Sequence, residues 1–163
     1  MSGASDFSHL DERGQARMVD VGAKDPSVRK AVAISRLRTR PDVIESIRGG
    51  RVPKGDVLAT ARIAGIMGAK RTPYLIPMCH PLLLDHVSVD ISMGSDTVDI
   101  RVRVRCTGRT GVEMEAMTGA SIAALAVYDM CKALDRSMTI EHVYLEKKSG
   151  GKSGTFERSK EQS

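Results

Sequence analysis

Apolar and polar residues alternate most clearly at 97–107, TVDIRVRVRCT. Val98, Ile100, Val102 and Val104 fall on one side of an extended chain, with Asp99, Arg101, Arg103 and Arg105 on the other, which predicts a strand with one face in a core. LDHVSVDIS, from Leu84, alternates in the same way. The intervening MGSD has turn composition, so the pair predicts a hairpin. Period-two spacing also predicts strands in VRKAVAISRLR from Val28, in MTIEHVYLEK from Met138, and in ARMVDVG at 16–22.

Between these runs the period lengthens. Pro41 opens a short predicted helix over 42–48 that Gly49 and Gly50 end. Asp56 is a good N-cap for a second helix reaching Arg71, whose Ala59, Ala61, Ala64, Gly65 and Gly68 would let another backbone approach closely. A long helix is predicted over 111–136, with Met117, Ala120, Ala124, Val127, Cys131 and Leu134 as its buried stripe. From Val28 the order is strand, helix pair, strand, strand, helix, strand. That is the split βαβ order of an α+β, ferredoxin-like fold with an antiparallel sheet packed by helices, here with an extra N-terminal strand.

With 163 residues, 41% hydrophobic and 28% charged, the chain reads as one domain with its own core. We divide it into a tail at 1–15, a domain at 16–158 that includes a mobile glycine- and lysine-rich loop, and a tail at 159–163. The N-terminus has no apolar leader core, and no uncharged stretch is long enough to cross a bilayer. Cys79, Cys106 and Cys131 are odd in number and far apart, which points to a reducing cytoplasm rather than a disulfide framework. A net charge of +5 favours an anionic partner without choosing its kind.

Several segments could carry chemistry. In GRTGVEMEA at 108–116, Thr110 and Glu113 have the spacing of a capping box, and Glu115 would sit in the first helical turn. The same carboxylates could instead contact a cationic ring or move protons. In YDMCKA at 128–133, Asp129 and Lys132 share a helix face that continues back through Leu125, Ile122 and Thr118. Because 116–128 carries no charge, we expect this pair to be partly desolvated and suited to acid–base work. Lys54 lies beside a helix N-terminus, where phosphate is readily gathered. KKSGGKSG at 147–154 invites a phosphate-loop reading, but the glycine that motif requires falls on Glu146, leaving a flexible cationic segment able to fold over an anion. His80, beside Cys79 and between Pro77 and Pro81, reads either as a hydrogen-bonded structural residue or as a ligand contact. No histidine has zinc-like spacing to Cys79, so no metal is expected.

Taken in order, KGDVLATARIAGI, LIPMCHPL, TGVEMEAMTGAS, YDMCKAL and KSGGKSG resemble the cyclic pyranopterin monophosphate synthases of molybdenum cofactor biosynthesis, from Met18 to Gly154. The resemblance implies a lyase that converts 3′,8-cyclised dihydroguanosine triphosphate, made by an upstream radical SAM GTP cyclase, to cyclic pyranopterin monophosphate with release of pyrophosphate. It implies no cofactor, and a homohexamer built as a trimer of dimers with active sites at subunit interfaces. By position, the family's catalytic residues fall on Asp129, Lys132 and Lys54, and its substrate contacts on Met78, Cys79, His80, Glu113 and Met114. Glu115 joins these, and Arg29, Lys24, Lys148 and Lys152 are triphosphate or loop contacts. A nucleic-acid module is the main rival. The few aromatics, Phe7, Tyr74, Tyr128, Tyr144 and Phe156, argue against a stacking surface.

Overall fold

The computed structural model describes residues 13–15 and 18–159, so the predicted tails at 1–15 and 159–163 fall almost wholly outside it. Strand β1 (Ser27–Arg38) leads into helices α1 (Pro41–Arg48), α2 (Val57–Lys70) and α3 (Thr72–Leu75). The hairpin of β2 (His86–Met93) and β3 (Thr97–Gly108) follows, then α4 (Glu113–Cys131), β4 (Thr139–Ser149) and a short β5 (Phe156–Glu157). The sheet is antiparallel in the order β2-β3-β1-β4-β5, with β5 added outside the split βαβ set. This is the α+β, ferredoxin-like arrangement predicted.

Alternation explains the layers. Ala31, Ala33, Ser35 and Leu37 of β1 and Val98, Ile100, Val102 and Val104 of β3 point into the core beneath α2 and α4. The other face carries ion pairs, Arg36 with Asp99 at 2.6 Å, Arg101 with Glu146 at 2.7 Å, and Arg103 with Asp90. Each is partly exposed and contributes little to stability.

The small residues of α2 do permit close packing. A Cβ on Gly68 would lie 2.9 Å from Ile122, and one on Gly119 would lie 3.0 Å from the Gly65 carbonyl oxygen. Only glycine lets these two helices meet so closely. The consequence is a fixed pairing in which the start of α2 lies beside the end of α4.

Three local expectations need correction. Within the predicted strand at 16–22, residues 16 and 17 are outside the described set and 18–21 are in no strand. The Val19 carbonyl accepts from the His80 ring, at 2.9 Å, instead of from a neighbouring strand. The capping box at Thr110 and Glu113 does not form, because Val112 is the N-cap, no side chain caps it, and Glu113 is the first helical residue. Finally, α4 stops at Cys131, short of Arg136. Buried Asp135 accepts from Ser137 N, Ser137 Oγ, Thr39 Oγ1 and Arg40 N, and those bonds pull the chain off the helical path.

Candidate active site

The predicted residues gather at the two ends of α4. At its C-terminal end, Asp129 Oδ1 lies 2.7 Å from Lys132 Nζ, and Oδ2 lies 2.7 Å from Lys54 Nζ. Lys54 reaches this position from the turn before α2, where Gly55 takes φ +101° and Asp56 accepts from Ala59 N at 2.9 Å. Lys132 is the helix's C-cap, with its amide donating to the Tyr128 carbonyl oxygen.

In the single chain this end is only partly covered. Leu125 and the side chain of Asp129 are each about half exposed, so the uncharged row from Thr118 climbs out of the core and onto the helix surface. Hydrogen bonds from Lys132 and then Lys54 hold the Asp129 carboxyl down at about 2. At neutral pH it is an anion gripped by two ammonium groups, and the cluster keeps one net positive charge. Such a cluster can orient its lysines and present them to an anionic or proton-exchanging substrate.

The N-terminal end is a cavity of about 270 Å³ whose walls include Met78, Cys79, His80, Glu113, Met114 and Glu115, with Lys24 at one side. Since the Val19 carbonyl can only accept, His80 donates through Nε2–H, which leaves Nδ1 for a ligand. The Glu113 carboxylate folds back onto Gly111, where an added Cβ would lie 1.9 Å from Oε2. Glu115 is 3% exposed, and burial first, then Glu113, pushes its carboxyl up to about 7. Burial also raises the Cys79 thiol, so nothing activates it as a nucleophile.

Lys24, Thr110 and Gly111 also line a neighbouring cavity of about 660 Å³, together with Arg29 and Lys152. The glycine-rich segment closes one side of it. Gly150 and Gly151 have φ of +97° and +78°, and a Cβ on Gly151 would overlap the Arg29 guanidinium. Lys148 belongs to β4 and donates to Ser153 of that segment, so it borders this region without lining the cavity. Among the described residues no group of three or more His, Cys, Asp or Glu side chains is placed to hold a metal.

Some lining residues escaped the sequence reading. Thr110 has the spacing of a cap, Arg109 lies in GRTG with no role that the sequence assigns, and Val19 and Val21 alternate as a strand would. The glycines around Arg109 and Thr110 were the available signal, since they mark a loop kept open beside a helix N-terminus.

A sequence model of the MoaC family matches residues 18–151. The chain is 60% identical over 154 residues to the cyclic pyranopterin monophosphate synthase of Roseiflexus sp. (strain RS-1), covering 93% of this chain and 98% of that one. It is 57% identical over 160 residues to that of Pelotomaculum thermopropionicum, covering 97% and 94%, and 58% identical over 153 residues to that of Streptomyces coelicolor, covering 94% and 90%.

Proposed function

The chain belongs to the MoaC family, and from that premise we propose that it is a cytoplasmic cyclic pyranopterin monophosphate synthase. Its substrate is 3′,8-cyclised dihydroguanosine triphosphate, supplied by a radical SAM GTP cyclase, and its products are the cyclic pyranopterin monophosphate and pyrophosphate. The observation that carries this reading is Asp129 held between Lys54 and Lys132 at 2.7 Å on each side.

The chemistry asks for what these residues offer. Closing the cyclic phosphate requires a hydroxyl oxygen of the substrate to attack the phosphorus nearest the sugar, giving its proton to a base. The bond to the next phosphate breaks, and pyrophosphate leaves with the electron pair. Cations stabilise the charge that develops on the leaving group. Arg29, Lys24 and Lys152 surround a cavity large enough for the phosphates, while the smaller cavity, walled by His80, Glu113 and Glu115, suits the ring system. Opening and rebuilding the purine rings requires proton transfers at nitrogen and oxygen, which lysines held by a carboxylate can perform.

The two ends of α4 are too far apart to serve one substrate in one chain. Glu113 and Asp129 are sixteen positions apart, about 24 Å along a helix. A homohexamer with sites at subunit interfaces supplies the missing half, by setting the Lys54 end of one copy against the His80 end of another. The rival RNA-binding reading gains no support. On the open sheet face Arg36, Arg101 and Arg103 are already paired with acids, and Tyr144 lies beneath Arg158.

The direct test supplies the cyclised triphosphate and measures pterin product and pyrophosphate together. Equal amounts of the two are expected. Absence of both from a correctly assembled protein would overturn the reading.

A further inference from the structure

One residue lining the larger cavity, Ser27, carries a hydroxyl that has no partner among the described residues. Ser27 Oγ is buried and makes no hydrogen bond among the described residues. Most buried polar atoms in folded proteins are paired, so an orphan donor calls for a reason.

Its surroundings supply one. Ser27 opens β1 opposite Gly108, and alternate strand residues share a face, so Ser27 and Arg29 point the same way, about 6.6 Å apart. Arg29 is partly engaged already, with Nε donating to the Gly108 carbonyl oxygen at 3.3 Å and Nη2 to that of Arg109 at 3.4 Å. The same cavity is lined by Lys24, Arg109, Lys152 and Ser153, and its one carboxylate, Asp25, is exposed. In a wall dominated by cations, the acceptor that suits a free hydroxyl donor is an anionic oxygen.

We propose that Ser27 is a phosphate-binding residue, its hydroxyl donating to a phosphoryl oxygen of the triphosphate seated among Lys24, Arg29 and Lys152. The inference rests on the reading of this cavity as the polyphosphate subsite. A neutral, short and directional donor adds what long cationic side chains lack, namely a fixed register for one particular phosphate. Ser27 thereby helps place the bond that breaks.

Inorganic tripolyphosphate is a suitable probe, with affinity measured by calorimetry on the assembled wild-type protein and on Ser27→Ala and Ser27→Thr. Ser27→Ala should bind it about tenfold more weakly, the loss expected for a hydrogen bond to a charged group, and Ser27→Thr should restore binding. In turnover, Ser27→Ala should raise KM and also lower kcat, because the phosphate it registers is then held less well for the bond that breaks. Without ligand, Ser27→Ala should melt no lower than wild type, because it deletes an unpaired buried group. Undiminished binding by Ser27→Ala, or a drop in its ligand-free Tm, would overturn the proposal. Failure of the wild type to bind tripolyphosphate would overturn the underlying reading of the cavity instead.

Discussion

At the two ends of α4, one type of functional group is held in opposite ways. Asp129 is half exposed between two lysines and held at about 2, whereas Glu115 is buried in the wall of the smaller cavity and raised to about 7. Charge partners set the first and lost hydration sets the second. One end therefore keeps a permanent anion that organises cations, and the other keeps a carboxyl able to hold or release a proton near neutral pH. A reaction that both expels a polyanion and moves protons in a ring system draws on both.

The most damaging way to test this contrast is to remove the cations. Lys54→Ala and Lys132→Ala should each keep the fold and the association state of the wild type while lowering pyrophosphate release by about 10²–10⁴. Wild-type-like turnover by either would detach that end from the chemistry. Asp129→Asn should still bind substrate and lose kcat, because the amide keeps the shape and loses the charge that holds the lysines. Loss of binding alone would make the aspartate structural.

A second test asks whether the two ends meet across subunits. Inactive Lys132→Ala and His80→Ala proteins, dissociated and reassembled together, should regain pyrophosphate release, since some interfaces then carry two intact halves. No recovery in verified mixed oligomers would place the two ends in separate sites.

Glu115 gives a pH signature. Its folded value of about 7 lies above the ordinary 4.5, so the native state holds the proton more tightly than the unfolded chain. Stability should therefore fall as pH rises from 4.5 to about 7, and level off above that. The fall should amount to about 3 kcal/mol in wild type and vanish in Glu115→Gln, as read from urea unfolding across that range. The smallest expected effect is at the start of α2. Asp56→Ala removes the cap that accepts from Ala59 N and should cost about 1 kcal/mol of stability.

The strands were legible because alternation is local, as β3 shows at Thr97–Gly108, and the Asp56 cap was legible for the same reason. What stayed hidden depends on partners distant in the chain. Lys54 and Asp129 are 75 positions apart, and Asp135, which ends α4 early, meets Thr39 from 96 positions away. Uncharged residues before Asp129 suggested burial. They cannot distinguish a core row from a helix surface, and in the single chain the pair lies half exposed on such a surface. The resemblance gathered the site residues by type, but only the folded chain separated them into two ends with opposite electrostatics.

The glycine seam between α2 and α4 also bears on which insertions and deletions this chain can accept. A single residue added to α4 after Gly119 would turn everything beyond it by about 100° and advance it by about 1.5 Å. Asp129 would leave Lys54, while the Gly65 and Gly119 contact held the first half of the helix in place. Length variation among descendants of this sequence should therefore be absent from 113–132 and tolerated in the MGSD turn of the hairpin. Helix α4 behaves as a gauge whose graduation is one residue.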